Sequence, residues 1–176
     1  MDNIAGVILA GGKSSRMGRD KAQIAYRELT LLDHMENLLR SVGINNIYIS
    51  RQDRIKDIVP DCGPLGGIYS VMHEISEAEM VIVPVDMPLL SKEIITKLVS
   101  SDYSDAAIFS GYNMPLKIRV SESIKNKIGG RILGSKKSLS IRMLLHELEV
   151  KYLNPEDCNG QCFINVNTLI ELESIS

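Results

Sequence analysis

The sequence has little cysteine, and this scarcity excludes several kinds of protein. Its 176 residues include three cysteines, Cys62, Cys158 and Cys162. Three is too few, and odd in number, for the disulfide framework of a small secreted domain. No other Cys or His lies near Cys158 and Cys162 in sequence, which argues against a structural zinc site there. We therefore expect a protein of the reducing cytoplasm.

The sequence also lacks a long apolar run, a leader pattern and an excess of positive charge. No stretch approaches the roughly 20 apolar residues of a membrane span, and no signal-peptide pattern is present. The formal net charge is −2, whereas general nucleic-acid binding needs a basic surface. The three histidines are not spaced for a catalytic triad with Ser or Cys. We expect neither a membrane nor a nucleic acid as partner.

Composition and hydrophobic pattern predict one α/β domain over residues 1–176. Apolar residues make up 44% and charged residues 24%, as in an ordinary globular domain. Short apolar runs predict strands at 4–9, 46–50, 57–59, 80–84, 106–109, 115–120 and 149–153. Helical patterns lie between most of them. The alternation predicts a three-layer, Rossmann-like fold with a mostly parallel sheet and helices on both faces.

The first strand leads into a loop that is rich in glycine, hydroxyls and positive charge. Residues 9–21 read LAGGKSSRMGRDK. They match neither the Walker A loop nor the dinucleotide fingerprint, because the glycine spacings differ from both. Glycines, backbone N–H groups and cations in one loop nevertheless suit a polyphosphate. We predict a phosphate-binding loop.

A carboxylate follows the most apolar strand. Asp86 comes just after residues 80–84 and lies between Pro84 and Pro88, which stiffen its backbone. Ser50 and Asp61 also follow predicted strands. In parallel sheets, ligands bind beyond the carboxyl ends of the strands, so we expect these residues to meet the first loop in one site. A carboxylate there suits Mg²⁺ held against nucleotide phosphates.

Four motifs together resemble the molybdenum cofactor guanylyltransferase family. Residues 9–21 meet every specified position of its signature, Leu-Ala-Gly-Gly-x-Ser-x-Arg-Met-Gly-x-Asp-Lys. Residues 84–88 match its metal-binding Pro-x-Asp-x-Pro, and residues 63–67 match its Gly-Pro-Leu-x-Gly. Residues 165–168 match its Asn-x-Asn-Thr. The resemblance covers nearly the whole chain and implies a nucleotidyltransferase fold.

The resemblance also implies a reaction and its partners. A terminal phosphate oxygen of molybdopterin, with molybdenum bound, would attack the α-phosphate of GTP. Pyrophosphate would leave, and the guanine dinucleotide form of the cofactor would be the product. Mg²⁺ is the implied cofactor. Further implied partners are proteins of cofactor biosynthesis or the molybdoenzymes that accept the product.

The family's residue roles carry over onto matching positions. The implied catalytic residues are Arg16 for the leaving pyrophosphate, Lys21 for the nucleotide and Asp86 for the metal. Asn165 and Asn167 would face the pterin, and Asp61 would contact the guanosine moiety. The implied GTP-binding residues are Leu9, Ala10, Gly11, Gly12, Ser14, Lys21, Ser50, Asp61 and Asp86.

The sequence departs from the family pattern at several positions and leaves other functions open. Ser50 stands where the family commonly has Asn, Met114 where it has His, and Leu169-Ile170 where it has Pro-Glu. The alternatives are a related nucleotidyltransferase that uses CTP or a sugar phosphate, and a nucleotide-binding protein without turnover. Gly11 argues against the alternative that uses CTP, because cytidylyltransferases of this kind often have Ala-Ala-Gly where this chain has Ala-Gly-Gly.

Overall fold

The structure is a computed structural model, and it describes residues 3–11, 20–134, 139–155 and 160–175. Its strands are β1 (Ile4–Leu9), β2 (Ala25–Tyr26), β3 (Leu29–Thr30), β4 (Ile47–Ser50), β5 (Glu79–Pro84), β6 (Ala106–Phe109), β7 (Leu116–Arg119) and β8 (Val150–Leu153). Its α-helices are α1 (Leu31–Ser41), α2 (Gly63–Glu74), α3 (Lys92–Val99), α4 (Glu122–Leu133), α5 (Ile141–Leu145) and α6 (Leu169–Glu173). Short 3₁₀ helices lie at Lys21–Gln23 and Gly160–Phe163. Within the described ranges, every helix is too short or too polar to span a membrane.

Six of these strands form one mixed sheet in the order β4-β1-β5-β7-β6-β8. β1 pairs in parallel with β4 and β5, and β6 pairs in parallel with β8. β7 runs antiparallel to both of its neighbours, β5 and β6, so β5 and β6 point in the same direction. The carboxyl ends of five strands therefore lie along one edge. The predicted mostly parallel sheet is confirmed.

Helices pack on both faces of this sheet. A Cβ on Gly6 in β1 would lie 2.9 Å from Leu39 Cδ1 of α1. Leu9, three residues further along β1, points to the other face, where its Cδ2 lies 3.2 Å from the Cβ position of Gly67 in α2. Since side chains alternate along a strand, α1 and α2 cover opposite faces. The central residues of β5, Met80–Val83, are fully buried, as expected for a strand covered on both sides.

The strand predicted at 57–59 is wrong. Residues 51–62 form turns and bends that connect β4 to α2, with one isolated parallel bridge between Ser50 and Ile55. Ile58 is 52% exposed and Val59 is only partly buried against the core, so this short run does not bury enough apolar surface to form a strand. The apolar pattern alone overestimates the tendency of residues 57–59 to form a strand, because β-propensity depends largely on burial.

Candidate active site

The carboxyl ends of β1, β5 and β6 border one cavity of about 730 Å³. It lies at the sheet edge where parallel strands end, as expected for a ligand site in this architecture. Its described lining residues are Leu9, Ala10, Gly11, Lys21, Pro64, Pro84, Val85, Asp86, Met87, Gly111, Tyr112, Asn113, Met114, Leu139, Ser140, Ile141, Phe163, Asn165 and Asn167. The cavity thus brings together three of the four predicted motifs directly, and Pro64 brings the fourth to its wall.

Lys21 joins three separate parts of the chain inside this cavity. Its Nζ lies 3.2 Å from Asp86 Oδ2, to which it donates a hydrogen bond within an ion pair. It also donates to the Val166 carbonyl oxygen at 3.2 Å and to Asn167 Oδ1 at 3.0 Å. The ammonium group therefore sits between the predicted metal ligand and the predicted pterin-side motif. A positive charge held in this way suits a site where negative charge develops during a reaction.

Asp20 holds the segment that presents Lys21. The Asp20 side chain accepts a hydrogen bond from the Ala22 backbone N–H at 3.1 Å, which caps the 3₁₀ helix Lys21–Gln23. Its Oδ2 lies 2.5 Å from an Arg51 guanidinium nitrogen just beyond β4. Ala22 is fully buried and pins the other side of this turn. The Asp20 cap, its ion pair with Arg51 and the buried Ala22 together fix the backbone position of Lys21.

Asp86 occupies the end of β5 and is fixed through its backbone as well as its side chain. The Asp86 carbonyl oxygen accepts a hydrogen bond from the Val166 N–H at 2.8 Å. Oδ2 binds Lys21, whereas Oδ1 accepts no hydrogen bond from a described residue. The carboxylate is about one quarter exposed and lines the cavity. It is therefore rigidly placed, with one oxygen facing ligands that the protein does not supply.

The described residues contain no cluster of three or more His, Cys, Asp or Glu side chains that could hold a metal ion. A cation at Asp86 would thus take most of its ligands from substrate phosphates and water. Mg²⁺ binds in this way, through one or two carboxylates together with phosphate oxygens and retained waters. The single available oxygen of Asp86 fits that pattern.

A capping box orients the Asn165–Thr168 motif. Thr168 is the N-cap of α6 and accepts a hydrogen bond from the Glu171 N–H at 3.1 Å. Glu171 in return accepts from the Asn167 N–H at 2.6 Å and from the Thr168 N–H at 3.2 Å. The departure at Leu169-Ile170 leaves this box intact, because neither side chain contributes to it. Asn165 and Asn167 both line the cavity.

Two predicted nucleotide-binding residues do not line the cavity. Ser50 is buried, with its hydroxyl where a Cβ on Gly67 would overlap it, and its carbonyl oxygen accepts from the Ala10 N–H at 3.1 Å. Asp61 is exposed and has a positive φ of 60°, in the turn that leads into α2. The predictions for Gly12, Ser14 and Arg16 lie outside the described residues. The nucleotide contacts of these five residues stay predictions, as do those of the predicted residues that line the cavity.

The connection between β4 and α2 carries a further carboxylate that the sequence pattern does not reveal. Asp57 is partly buried, and its Oδ2 lies 3.3 Å from the Cβ position of Gly66 in the first turn of α2. Burial raises the pKa of the Asp57 carboxyl, because the ionised form loses part of its hydration. The false strand at 57–59 hid this side chain, because a strand position suggests a structural role.

The sequence pattern also does not reveal the part of the cavity that lies after β6. It is lined by Gly111 to Met114, in the connection between β6 and β7, and by Leu139 to Ile141. Among these residues, only Met114 stands out in the sequence, as a departure from the family pattern. The rule that ligands gather at the carboxyl ends of strands, applied to β6, would have found this connection.

Comparison with known proteins identifies the family of this chain. Residues 6–121 match the family model of the MobA-like NTP transferase domain. The chain is 36% identical over 168 residues to the molybdenum cofactor guanylyltransferase of Xanthomonas euvesicatoria, covering 93% of this chain and 89% of that protein. It is 34% identical over 188 residues to a probable molybdenum cofactor guanylyltransferase of Bacillus mycoides, covering 96% of this chain and 93% of that protein.

A solved structure shares the fold. The molybdopterin-guanine dinucleotide biosynthesis protein A from Archaeoglobus fulgidus superposes with a TM-score of 0.73 at 20% identity, over 97% of this chain and 95% of that chain. Family model, relatives and fold therefore agree. The chain belongs to the MobA-like NTP transferase family and is a nucleotidyltransferase.

Proposed function

We propose that this chain transfers GMP from GTP to molybdenum-bound molybdopterin, with Mg²⁺ as its metal. The observation that carries this proposal is the Lys21 ammonium, which contacts Asp86 and Asn167 within one cavity. In this proposal the nucleotide binds in the half of the cavity beside β1 and Asp86, and the acceptor binds in the half beside Asn165 and Asn167. Lys21 lies between these two halves. The Xanthomonas relative is named a molybdenum cofactor guanylyltransferase and the Bacillus relative a probable one, which supports transfer of a guanylyl group to this cofactor.

The chemistry is a substitution at the α-phosphorus of GTP. A terminal phosphate oxygen of molybdopterin forms a bond to that phosphorus, and the bond to the bridging oxygen of the β-phosphate breaks. Pyrophosphate leaves with the electron pair. The protein contributes position and charge rather than covalent chemistry. Magnesium, when bound at Asp86, neutralises charge on the α-phosphate and orients it.

Each half of the cavity has its own binding role. Leu9 at the end of β1, with Ala10 and Gly11 after it, lines the nucleotide half, where close backbone approach suits phosphates. Lys21 neutralises charge that develops between the phosphates, and Arg16 binds the leaving pyrophosphate. Asn165 and Asn167 offer amide donors and acceptors to the pterin.

The guanine base is read by a carboxylate on the connection between β4 and α2. A carboxylate accepts hydrogen bonds from the N1–H and the exocyclic amine of guanine, a pair of donors that no other common base offers. Asp61 is our first candidate on its match to the family motif. Asp57 is a second candidate, because its carboxylate is partly buried on the same connection and the donors of guanine would offset the hydration that it loses there.

Pyrophosphate release tests this function and separates it from its rivals. The wild-type chain is incubated with molybdopterin, magnesium and either GTP or CTP. We expect release only when GTP and molybdopterin are both present. Release with CTP instead would assign the chain to a cytidylyl branch, and nucleotide binding without release would make it a binding protein. The cysteine content suits a reducing compartment, and we propose the cytoplasm as the site of this reaction.

A further inference from the structure

Three aromatic rings form a column that ends in the cavity. Phe109, at the end of β6, is fully buried, and its ring centroid lies 5.2 Å from that of Phe163. Phe163 in turn stacks against Tyr112 with centroids 3.9 Å apart and planes inclined by 22°. Phe163 and Tyr112 line the cavity, whereas Phe109 does not. The column thus connects the hydrophobic core to the wall of the site.

The backbone holds Tyr112 at the outer end of this column. Gly111 has a φ of +87°, a conformation that favours glycine, and it turns the chain directly after β6. The Tyr112 N–H donates to the Phe109 carbonyl oxygen at 3.1 Å, and the Ser110 N–H donates to the Leu153 carbonyl oxygen at 2.9 Å. The ring is therefore positioned before any ligand arrives. A preorganised aromatic surface loses little conformational entropy when a ligand packs on it.

The place of Tyr112 in the sheet decides which substrate it meets. β6 lies three places along the sheet from β1, with β5 and β7 between them, so the turn carrying Tyr112 is separated from the end of β1 by two strands. It shares the cavity with Asn165 and Asn167, and Phe163 precedes Asn165 by two residues. A flat, partly exposed aromatic face beside two amide groups suits a flat nitrogen heterocycle, which stacks on the ring and bonds at its edge.

We propose that Tyr112, backed by Phe163, is the surface on which the pterin of the acceptor stacks. This inference rests on the proposed function, because that function makes a pterin the second substrate. The flat pyrimidinone half of the pterin packs on the Tyr112 ring, while the asparagine amides bind its polar edge. Stacking fixes the position of the ring, and the amides supply the specificity.

Steady-state kinetics of three variants test this role. Tyr112→Ala removes the ring, Tyr112→Phe keeps it, and Tyr152→Ala is the matched control, since Tyr152 lies on edge strand β8, is 57% exposed and does not line the cavity. Loss of a stacking partner costs enough to raise the KM for molybdopterin by about 5- to 100-fold in Tyr112→Ala. The KM for GTP should stay within about twofold of wild type. Tyr112→Phe and Tyr152→Ala should match wild type.

A binding titration gives a readout that does not depend on turnover. The chain contains no tryptophan, so the fluorescence of an oxidised pterin phosphate can be followed without tryptophan emission. Wild type and Tyr112→Phe should quench this probe with the same affinity, and Tyr112→Ala should bind it more weakly by the same factor as in the kinetics. Thermal melts establish that each variant is folded.

Two results would overturn the inference. One is a folded Tyr112→Ala variant with wild-type affinity for the pterin probe. The other is a rise in the KM for GTP in place of that for molybdopterin, which would assign the ring to guanine. If wild type binds the probe through Tyr112 but makes no guanine dinucleotide, the proposed function fails while the stacking surface stands.

Discussion

Replacing Asp86 by Asn is the substitution that most directly probes the proposed metal site. Asn keeps the shape of the side chain and one carbonyl oxygen but removes the negative charge. Oδ1 of Asp86 accepts no hydrogen bond from a described residue, so the change chiefly affects the oxygen that we assign to magnesium. Binding of a hard cation should weaken sharply. We expect kcat to fall by at least about 100-fold, or roughly 2.7 kcal/mol of barrier.

The fold should survive this change. The ion pair between Lys21 and Asp86 leaves side-chain exposures of 18% and 26%. Solvated pairs of this kind contribute about 0.2–1 kcal/mol, and Lys21 keeps Val166 and Asn167 as acceptors. In a chain of this size 1 kcal/mol shifts the Tm by roughly 2–4 °C, so the Tm should fall by no more than that.

The assay is a magnesium titration of turnover in both proteins, with thermal melts alongside. Asp102→Asn makes the same chemical change at an exposed aspartate that does not line the cavity, and it should behave as wild type. Saturating magnesium should recover only part of the loss in Asp86→Asn. Near-normal turnover of Asp86→Asn at low magnesium would refute the reasoning.

The remaining predictions concern charge, base reading, titration and packing. Lys21→Ala should lower kcat by a larger factor than it raises the KM for GTP, because the cation acts most strongly when charge develops in the transition state. Asp61→Asn should weaken the preference for GTP over ATP and CTP by about 1.5–3 kcal/mol, because hydrogen bonds to a charged group contribute about that much. Since Asp61 is the first candidate, Asp57→Asn should leave this preference unchanged. Since burial raises the pKa of the Asp57 carboxyl, its ionised form destabilises the fold as the pH rises through that pKa. The Tm of Asp57→Asn should therefore exceed that of wild type at pH 8, and the difference should vanish below about pH 4, where the unfolded carboxyl is also protonated. A Cβ on Gly67 would overlap the Ser50 hydroxyl, so Gly67→Ala should lower the free energy of unfolding by about 1–3 kcal/mol. Gly130→Ala is its control in α4, where nothing lies within 4 Å of the new Cβ, and it should gain up to about 1 kcal/mol.

Each of these predictions has a result that contradicts it. A Lys21→Ala variant that changes only the KM would reassign the lysine to uniform nucleotide binding. Loss of selectivity in Asp57→Asn, with none in Asp61→Asn, would transfer base reading to Asp57. A Tm difference for Asp57→Asn that does not depend on pH would show that burial does not perturb its titration. Equal Tm values for the two glycine variants would mean that Gly67 is not tightly packed.

The local features of the fold were predictable from the sequence because burial leaves a clear pattern. Residues 106–109 were expected as a strand and form β6 with the same bounds, since four consecutive buried residues sit between polar ones. Ser91 precedes a helical apolar pattern, which favours an N-cap, and its hydroxyl accepts a hydrogen bond from the Ile94 N–H of α3 at 3.4 Å. Both signals need only neighbouring residues.

Features that depend on distant pairing were less accessible. Residues 115–120 were expected to be extended, but the antiparallel direction of β7 between two parallel-running neighbours follows only from the whole sheet. The Lys21 contact with Asn167 joins residues 146 positions apart, so no local pattern reveals it. The expectation of one domain over residues 1–176 stays a prediction.

The candidate site was predictable where strands end and not where loops approach from elsewhere. Asp86 and the end of β1 were assigned to one edge, and both line the cavity. Asp61 and Ser50 were assigned by the same rule, yet exposure of the first and burial of the second keep both off the cavity wall. A rule about strand ends gives the edge of the sheet but not the direction of each side chain.

Isotopic labelling of GTP tests the central claim most directly. GTP labelled on either the α- or the γ-phosphate is incubated with the wild-type chain, molybdenum-bound molybdopterin and magnesium, and the products are separated. We predict that the α-label appears in a guanine dinucleotide and the γ-label in pyrophosphate, both at equal rates. Label from the γ-phosphate on the pterin, or no transfer from GTP under conditions where CTP reacts, would contradict the account.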